Sequence, residues 1–168
     1  MTTAEETLLQ GLRNAHAMEK QAIESTENQI DRLQNYPEMQ SWVRDHVEAS
    51  RSQRERVRAC IDRRGGDVSS LKDMALSIMG KVQELTGTVA ADEVIKNTIT
   101  VYGFKHYEIG AYLSLAAAAD AVGDQETKHV CDEIIREEEG LAERLKPILP
   151  AVMTEYLRRE QSGATAKR

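Results

Sequence analysis

Ionisable side chains stand at the centre of three otherwise apolar helical stripes. Glu19, Lys105 and Glu138 each occupy such a position, where an unpaired charge costs several kcal/mol of free energy. Carboxylates on different helices that meet one lysine in the interior would form a buried ion-pair site. Two buried carboxylates are also what a metal site inside a helical bundle requires. The pattern therefore leaves two kinds of chemistry open, an internal ion pair and a carboxylate-bound metal.

Two further residues flank these positions. Glu108 lies beside Lys105 on the same predicted helix, and His46 lies on the inner face of another. We predict a core ion-pair site formed by Lys105, Glu19, Glu138 and Glu108. If a metal is bound, the candidate ligands are Glu19, His46, Glu108 and Glu138, because Glu and His side chains bind iron and manganese. Neither set identifies a catalytic residue.

The helix that carries Lys105 is predicted over residues 92–122. Projected at about 100° per residue, its apolar stripe consists of Val94, Thr98, Val101, Ile109, Tyr112, Ala116 and Ala119. Lys105 falls in the centre of this stripe. Glu19 and Glu138 hold equivalent positions on two other helices, so the predicted site needs all of these helices packed side by side.

Helix caps and breakers divide the rest of the chain. Thr3 with Glu6 forms a capping box, Pro37 suits a first helical turn, and Pro147 stops the last long helix. The predicted long helices are 4–34, 37–64, 92–122 and 125–146, with shorter helices at 71–85 and from Pro150 to about Tyr156. The four long helices are therefore joined by a short connection, a long one and another short one. This order is typical of an all-α, ferritin-like four-helix bundle with one crossover. We predict a single domain over 1–160 and a disordered tail at 161–168.

The composition narrows the class of protein. The chain is 40% hydrophobic, has a net charge of -6 and interleaves its 22 basic residues with acidic ones, which argues against nucleic acid or a membrane as partner. No apolar run approaches the roughly 20 residues of a membrane span, and the first six residues lack the layout of a signal peptide. Cys60 and Cys131 suggest no disulfide framework. We expect a soluble, cytoplasmic protein.

Several short motifs resemble those of a known family. They lie at 12–21, 35–38, 92–96 and 106–109, at His46, Gln53, Tyr112 and Leu115, and at the pair Glu137 and Glu138. Together they are similar to the YciE/YciF-type ferritin-like proteins of bacteria, and closer to YciE. The resemblance covers about residues 5–160. It implies a ferritin-like bundle, a homodimer, expression in stress responses, and a carboxylate core resembling a di-iron site with glutamates from all four helices.

The chain departs from that family pattern at two core positions. Ala49 and Lys105 stand where relatives typically carry glutamates, and Glu48 is followed by Arg51 where the superfamily Glu-x-x-His would need histidine. The remaining core charge, three glutamates and one lysine, could balance one divalent ion but not two. We therefore interpret Lys105 as the replacement for a metal, neutralising Glu19 and Glu138, and expect no cofactor. Iron or manganese is the alternative.

Three functions follow from these interpretations. The first is a ferritin-like stress-response protein with a degenerate, metal-poor core that acts through assembly or partner binding, with Trp42 and the crossover residues Met74, Ile78, Met79 and Val82 as candidate interface surfaces. The second is a residual di-iron or manganese carboxylate oxidase, or a peroxide-handling metalloprotein. The third is a bundle that holds a small anion at Lys105. No small-molecule substrate is indicated, and nothing suggests the hollow shell of an iron store.

Overall fold

Five α-helices and one 3-10 turn form the regular structure of residues 2–68 and 92–166, the part of the chain that this computed structural model describes. The helices are α1 (Ala4–Glu27), α2 (Pro37–Arg63), α3 (Glu93–Ala121), α4 (Gln125–Leu145) and α5 (Ile148–Ser162), and the 3-10 turn is Ile30–Arg32. The helix predicted at 71–85 lies outside the described residues. So do the crossover residues that were predicted to form an interface.

The first four helices pack as a bundle. The most extensive contacts join α1 to α2 and α3 to α4, and the two pairs meet through α1 against α3 and α2 against α4. The long connection between α2 and α3 separates two tightly connected pairs, which confirms the predicted ferritin-like architecture. Within the described ranges, none of the helices combines the length and hydropathy that a membrane-spanning segment needs.

The helix caps follow the sequence closely, but α1 is shorter than predicted. Thr3 and Glu6 form the expected capping box, and Asp124 accepts a hydrogen bond from the Thr127 N–H at the start of α4. The prediction that α1 continues to about residue 34 is wrong, because it ends at Glu27. The Ile30 carbonyl accepts a hydrogen bond from the Gln40 side chain at 2.7 Å. The Leu33 N–H also donates to this carbonyl, at 3.3 Å, so the chain after Glu27 forms a 3-10 turn rather than a further turn of α1.

The C-terminal helix is longer than predicted. It begins at Ile148, directly after Pro147, and continues to Ser162. Pro150 lies in its first turn, where a backbone N–H has no partner within the helix and proline is therefore tolerated. The predicted tail starts inside this helix, and the Tyr36 hydroxyl donates a hydrogen bond to the carbonyl of buried Ala166.

Two apolar clusters fill the bundle, and a polar layer separates them. One cluster contains Leu8, Leu12, Val57, Cys60, Tyr112 and Ile134; the other contains Ile23, Trp42, Val43, Val101 and Leu141. Buried ionisable residues from all four long helices form this layer: Glu19, His46, Lys105 with Glu108, and Glu138. All but His46 fall in sequence between the two clusters; His46 lies within the second cluster on α2, and its Nδ1 atom reaches the layer at Lys105. The fold therefore brings them to one level of the bundle.

Candidate functional site in the bundle core

Lys105 is the centre of the polar layer. Its side chain is fully buried, and its Nζ atom lies 2.5 Å from Oε2 of Glu108 and 2.5 Å from Oε2 of Glu138. The same Nζ atom lies 3.1 Å from Nδ1 of His46. Glu108 is one turn further along α3, whereas Glu138 comes from α4 and His46 from α2. One ammonium group thus joins three of the four bundle helices.

Glu19, on the fourth bundle helix, has a different direct partner. Its Oε1 atom accepts a hydrogen bond of 2.6 Å from the hydroxyl of Tyr112, which is also fully buried. The sequence predicts Tyr112 as a packing residue of the apolar stripe whose hydroxyl reaches a polar partner, but it does not identify that partner as Glu19. Its spacing of four residues from Glu108 puts it one turn further along the same face of α3, and that is the signal for its polar role.

His46 is held neutral by its surroundings. Burial, and then the positive charge of Lys105, lower its pKa well below the usual value. The ring stacks on Trp42 with a centroid distance of 5.2 Å. Because an ammonium group can only donate, Nδ1 of His46 is the acceptor and the proton lies on Nε2.

Trp42 does not form the interface surface that was predicted for it. Its side chain is buried, and its Nε1–H donates a hydrogen bond of 2.9 Å to the Leu141 carbonyl. The helical period had placed Trp42 on the inner face of α2, and packing in the apolar cluster follows that period. Glu48 is exposed and paired with Arg51, so it takes no part in the site.

Burial and the neighbouring charges shift the pKa values of Glu19, Glu108 and Lys105 upward. Burial, followed by the charge of Glu138, raises the pKa of Glu19 to about 7. Burial also raises the pKa of Glu108 well above its usual value, although Lys105 opposes this. Burial alone would lower the pKa of Lys105, but Glu108, Glu138 and Glu19 together raise it. Lys105 therefore remains an ammonium ion at neutral pH, and its charge opposes the effect of burial on the pKa of Glu108.

The donor set in this arrangement does not fit a carboxylate-bound metal. Several oxygen atoms at this level accept no hydrogen bond within the described ranges, among them Glu19 Oε2, Glu138 Oε1 and Gln53 Oε1. Such oxygens suit a hard cation. However, Nζ of Lys105 already lies 2.5 Å from the carboxylates of Glu108 and Glu138. No group of three or more His, Cys, Asp or Glu residues in residues 2–68 and 92–166 is placed to hold a metal.

Comparison with known proteins identifies the family. Residues 3–158 match the family described as a domain of unknown function, DUF892. The chain belongs to this family. A crystal structure of a Xanthomonas campestris pv. campestris protein is similar, with 31% identity and a TM-score of 0.80 over 94% of this chain and 98% of that one. The E. coli stress protein YciF shares the fold, with 19% identity and a TM-score of 0.75 over 89% of this chain and 96% of YciF. The resemblance predicted from the motifs is therefore confirmed.

Proposed function

We propose that this DUF892 protein is a ferritin-like, stress-related protein with a metal-poor core, in which the Lys105 ammonium group neutralises the carboxylates of Glu138 and Glu108, and that it acts through assembly or partner binding. One observation carries the proposal: the buried Nζ atom of Lys105 contacts carboxylates from two helices at 2.5 Å. YciF, which shares the fold, is described as a stress protein, and this supports the stress-related role.

The physical argument is competition between two cations for the same carboxylates. A divalent ion about 4 Å from an ammonium group is repelled by roughly 8 kcal/mol at an effective dielectric constant near 20. Lys105 cannot move into solvent without leaving Glu108 and Glu138 unpaired in the interior, which is strongly destabilising. The lysine therefore supplies the positive charge that a metal would otherwise supply.

Replacing the lysine by the glutamate that the family resemblance implies at this position tests this proposal. We expect Lys105→Glu to acquire iron or manganese. The substitution removes the competing cation, and it gives the site a fourth carboxylate beside the His46 ring. Metal content is measured by plasma mass spectrometry after purification without chelator. Lys96→Glu is the matched control, since Lys96 is an exposed residue of α3 paired with Asp92. A Lys105→Glu variant that folds and binds no more metal than Lys96→Glu would contradict the proposal.

For assembly, we propose that two copies of the chain pack through the outer face of α3. Ile99, Tyr107 and Leu113 are the exposed large apolar residues of this helix, each more than half exposed. Gly103 and Gly110 lie on the same face, and a side chain added at either would meet nothing within 4 Å. A glycine inside an exposed helix lowers the stability of the helix by about 1 kcal/mol relative to alanine. Close packing of a second helix against α3 would explain why glycine occupies these two positions.

Sedimentation velocity tests this surface. We expect the parent chain to form a dimer and Gly110→Leu to shift it to the monomer, because the added side chain separates the two helices. Gly140→Leu is the matched control: Gly140 is also exposed with open space around it, but its neighbours on α4 include the charged residues Arg136 and Arg144. A monomeric parent chain, or the same response to both substitutions, would exclude this face.

A further inference from the structure

Lys105 and Glu138 lie close enough for a covalent bond to form between α3 and α4. Nζ of Lys105 donates a hydrogen bond of 2.5 Å to Oε2 of Glu138, and both side chains are fully buried. The carboxyl carbon of Glu138 is bonded to that oxygen, so it lies at most one bond length further from the nitrogen. Groups held together in this way react as if at a concentration of about 10⁵ M or more once they are aligned.

The interior of the bundle makes the charged form of this pair costly. Both ions have lost their hydration, and only their mutual attraction offsets that loss. Transfer of one proton along the hydrogen bond turns the ammonium group and the carboxylate into an amine and a carboxylic acid, without any proton from outside. A desolvated lysine amine is a nucleophile, and a carboxylic acid is a better electrophile than a carboxylate. This neutral pair is the minor form, so a reaction that starts from it is slow.

Two further side chains contact the same nitrogen atom. Nδ1 of His46 lies 3.1 Å from Nζ, and Oε2 of Glu108 lies 2.5 Å from it. Among the described residues, neither oxygen of Glu108 accepts a hydrogen bond, whereas Oε2 of Glu138 accepts one from Lys105. Glu138 is therefore the carboxyl group that exchanges a proton with Lys105, and His46 is the neighbouring acceptor for a second proton.

We propose that Lys105 and Glu138 condense to an isopeptide bond that joins α3 to α4. The ammonium group transfers one proton to Oε2 of Glu138, and the amine nitrogen attacks the carboxyl carbon. As the C–N bond forms, the nitrogen gives a second proton to Nδ1 of His46, which returns it to the leaving oxygen. The C–O bond breaks, one water molecule leaves, and the third proton stays on the amide nitrogen. The reaction needs no oxidant, cofactor or further reactant.

The product fits its surroundings better than the ion pair does. An amide replaces two buried charges, and its N–H group remains as a donor between His46 and Glu108. His46 also lines a cavity of about 30 Å³, which is large enough for the released water, since a buried water needs about 10–15 Å³. The bond depends on the metal-poor core proposed above, because a metal on these carboxylates would keep Lys105 away from Glu138.

The mass of the full-length chain after acid denaturation tests for the bond. Denaturation separates an ion pair but leaves an amide intact. After several days at pH 8, most chains should therefore be lighter than their sequence by one water molecule. Lys105→Arg keeps the positive charge and cannot form the bond, so it should retain the full mass of its sequence. Lys96→Arg is the matched control at an exposed position of α3, and it should lose water as the parent chain does.

Tryptic peptides of the parent chain locate the bond without any variant. An amide at Lys105 prevents cleavage there, so residues 97–128 should appear as one peptide joined to residues 137–144, which contain Glu138. Loss of water within peptide 97–128 alone would place the bond at Glu108 and overturn the assignment to Glu138. A chain of full mass that is cleaved after Lys105 would overturn the proposed bond altogether.

The metal content of the same sample distinguishes the bond from the metal-poor core. A chain with neither bond nor metal would overturn the bond and leave the proposed function standing. A chain that holds metal and lacks the bond would overturn both.

Discussion

Two clusters of charge stabilise this bundle in opposite surroundings. At the end of the bundle, Asp124 pairs with Arg63 at 3.0 Å and with Arg64 at 2.6 Å, and all three side chains keep some access to water. In the core, Lys105, Glu108 and Glu138 have none. Water compensates for a lost partner in the first cluster and cannot do so in the second. Loss of an ion pair in the core should therefore lower the free energy of unfolding severalfold more than loss of a similar pair at the end of the bundle.

The carboxyl groups of the two clusters respond to these surroundings in opposite directions. For Asp124, burial tends to raise the pKa, but hydrogen bonds from Thr127 and then Arg64 outweigh it and lower the pKa to about 2. For Glu19, burial and the charge of Glu138 dominate and raise the pKa to about 7. Asp124 therefore stabilises the fold as an anion, whereas Glu19 stabilises it as a neutral acid.

The largest expected effect is that of removing the buried cation. Lys105→Met should lower the free energy of unfolding at pH 8 by about 3–5 kcal/mol, because Glu138 and Glu108 lose their counter-charge in the interior. Urea unfolding measures the loss. Arg63→Met is the matched change at the exposed cluster and should cost no more than about 1 kcal/mol. Equal losses for the two substitutions would remove the distinction between the clusters.

The next effect is a dependence of stability on pH that comes from Glu19. Its pKa is about 7 in the folded chain and ordinarily 4.5, so the folded state holds the proton more tightly. Its contribution is complete below about pH 4.5 and is lost as the pH rises through 7, by up to about 3 kcal/mol. Glu19→Gln, which imitates the protonated acid, should flatten this decline between pH 5 and 8.

The difference between the parent chain and Glu19→Gln isolates this contribution. His46, whose pKa is lowered by burial, contributes an opposite slope below its ordinary value, and that slope is common to both proteins. A decline in stability that is equally steep in parent and variant would show that Glu19 is ionised in the folded chain at pH 5.

A smaller effect is expected from the phenol that binds Glu19. Tyr112→Phe removes the donor to Glu19 Oε1 and leaves that oxygen buried without a partner, which should cost about 1–3 kcal/mol. Tyr107→Phe is the control, because Tyr107 lies on the same helix with 58% of its surface exposed and should change stability by less than about 0.5 kcal/mol. Urea unfolding at pH 7 compares the two. Unchanged stability in Tyr112→Phe would mean that this hydrogen bond contributes nothing.

The sequence predicts features that belong to a single helix better than it predicts contacts between two helices. The helical period alone places Lys105, Glu19 and Glu138 inward, and all three are fully buried. The pairing of Glu19 with Tyr112 depends on how α1 and α3 are rotated against each other, and a single helical projection does not contain that information. The chain after α1 also makes a contact that a helical projection does not contain, because the Ile30 carbonyl accepts a hydrogen bond from the Gln40 side chain of α2.

The central claim is that Lys105 takes the place of a metal, and metal content tests it most directly. The parent chain is expressed with added iron and manganese, purified without chelator and analysed by plasma mass spectrometry. The account predicts less than about 0.1 metal per folded chain, because the ammonium group already pairs with the carboxylates. A content near one or two metals per chain that is lost in Glu19→Ala would contradict it, and would make the polar layer a metal centre.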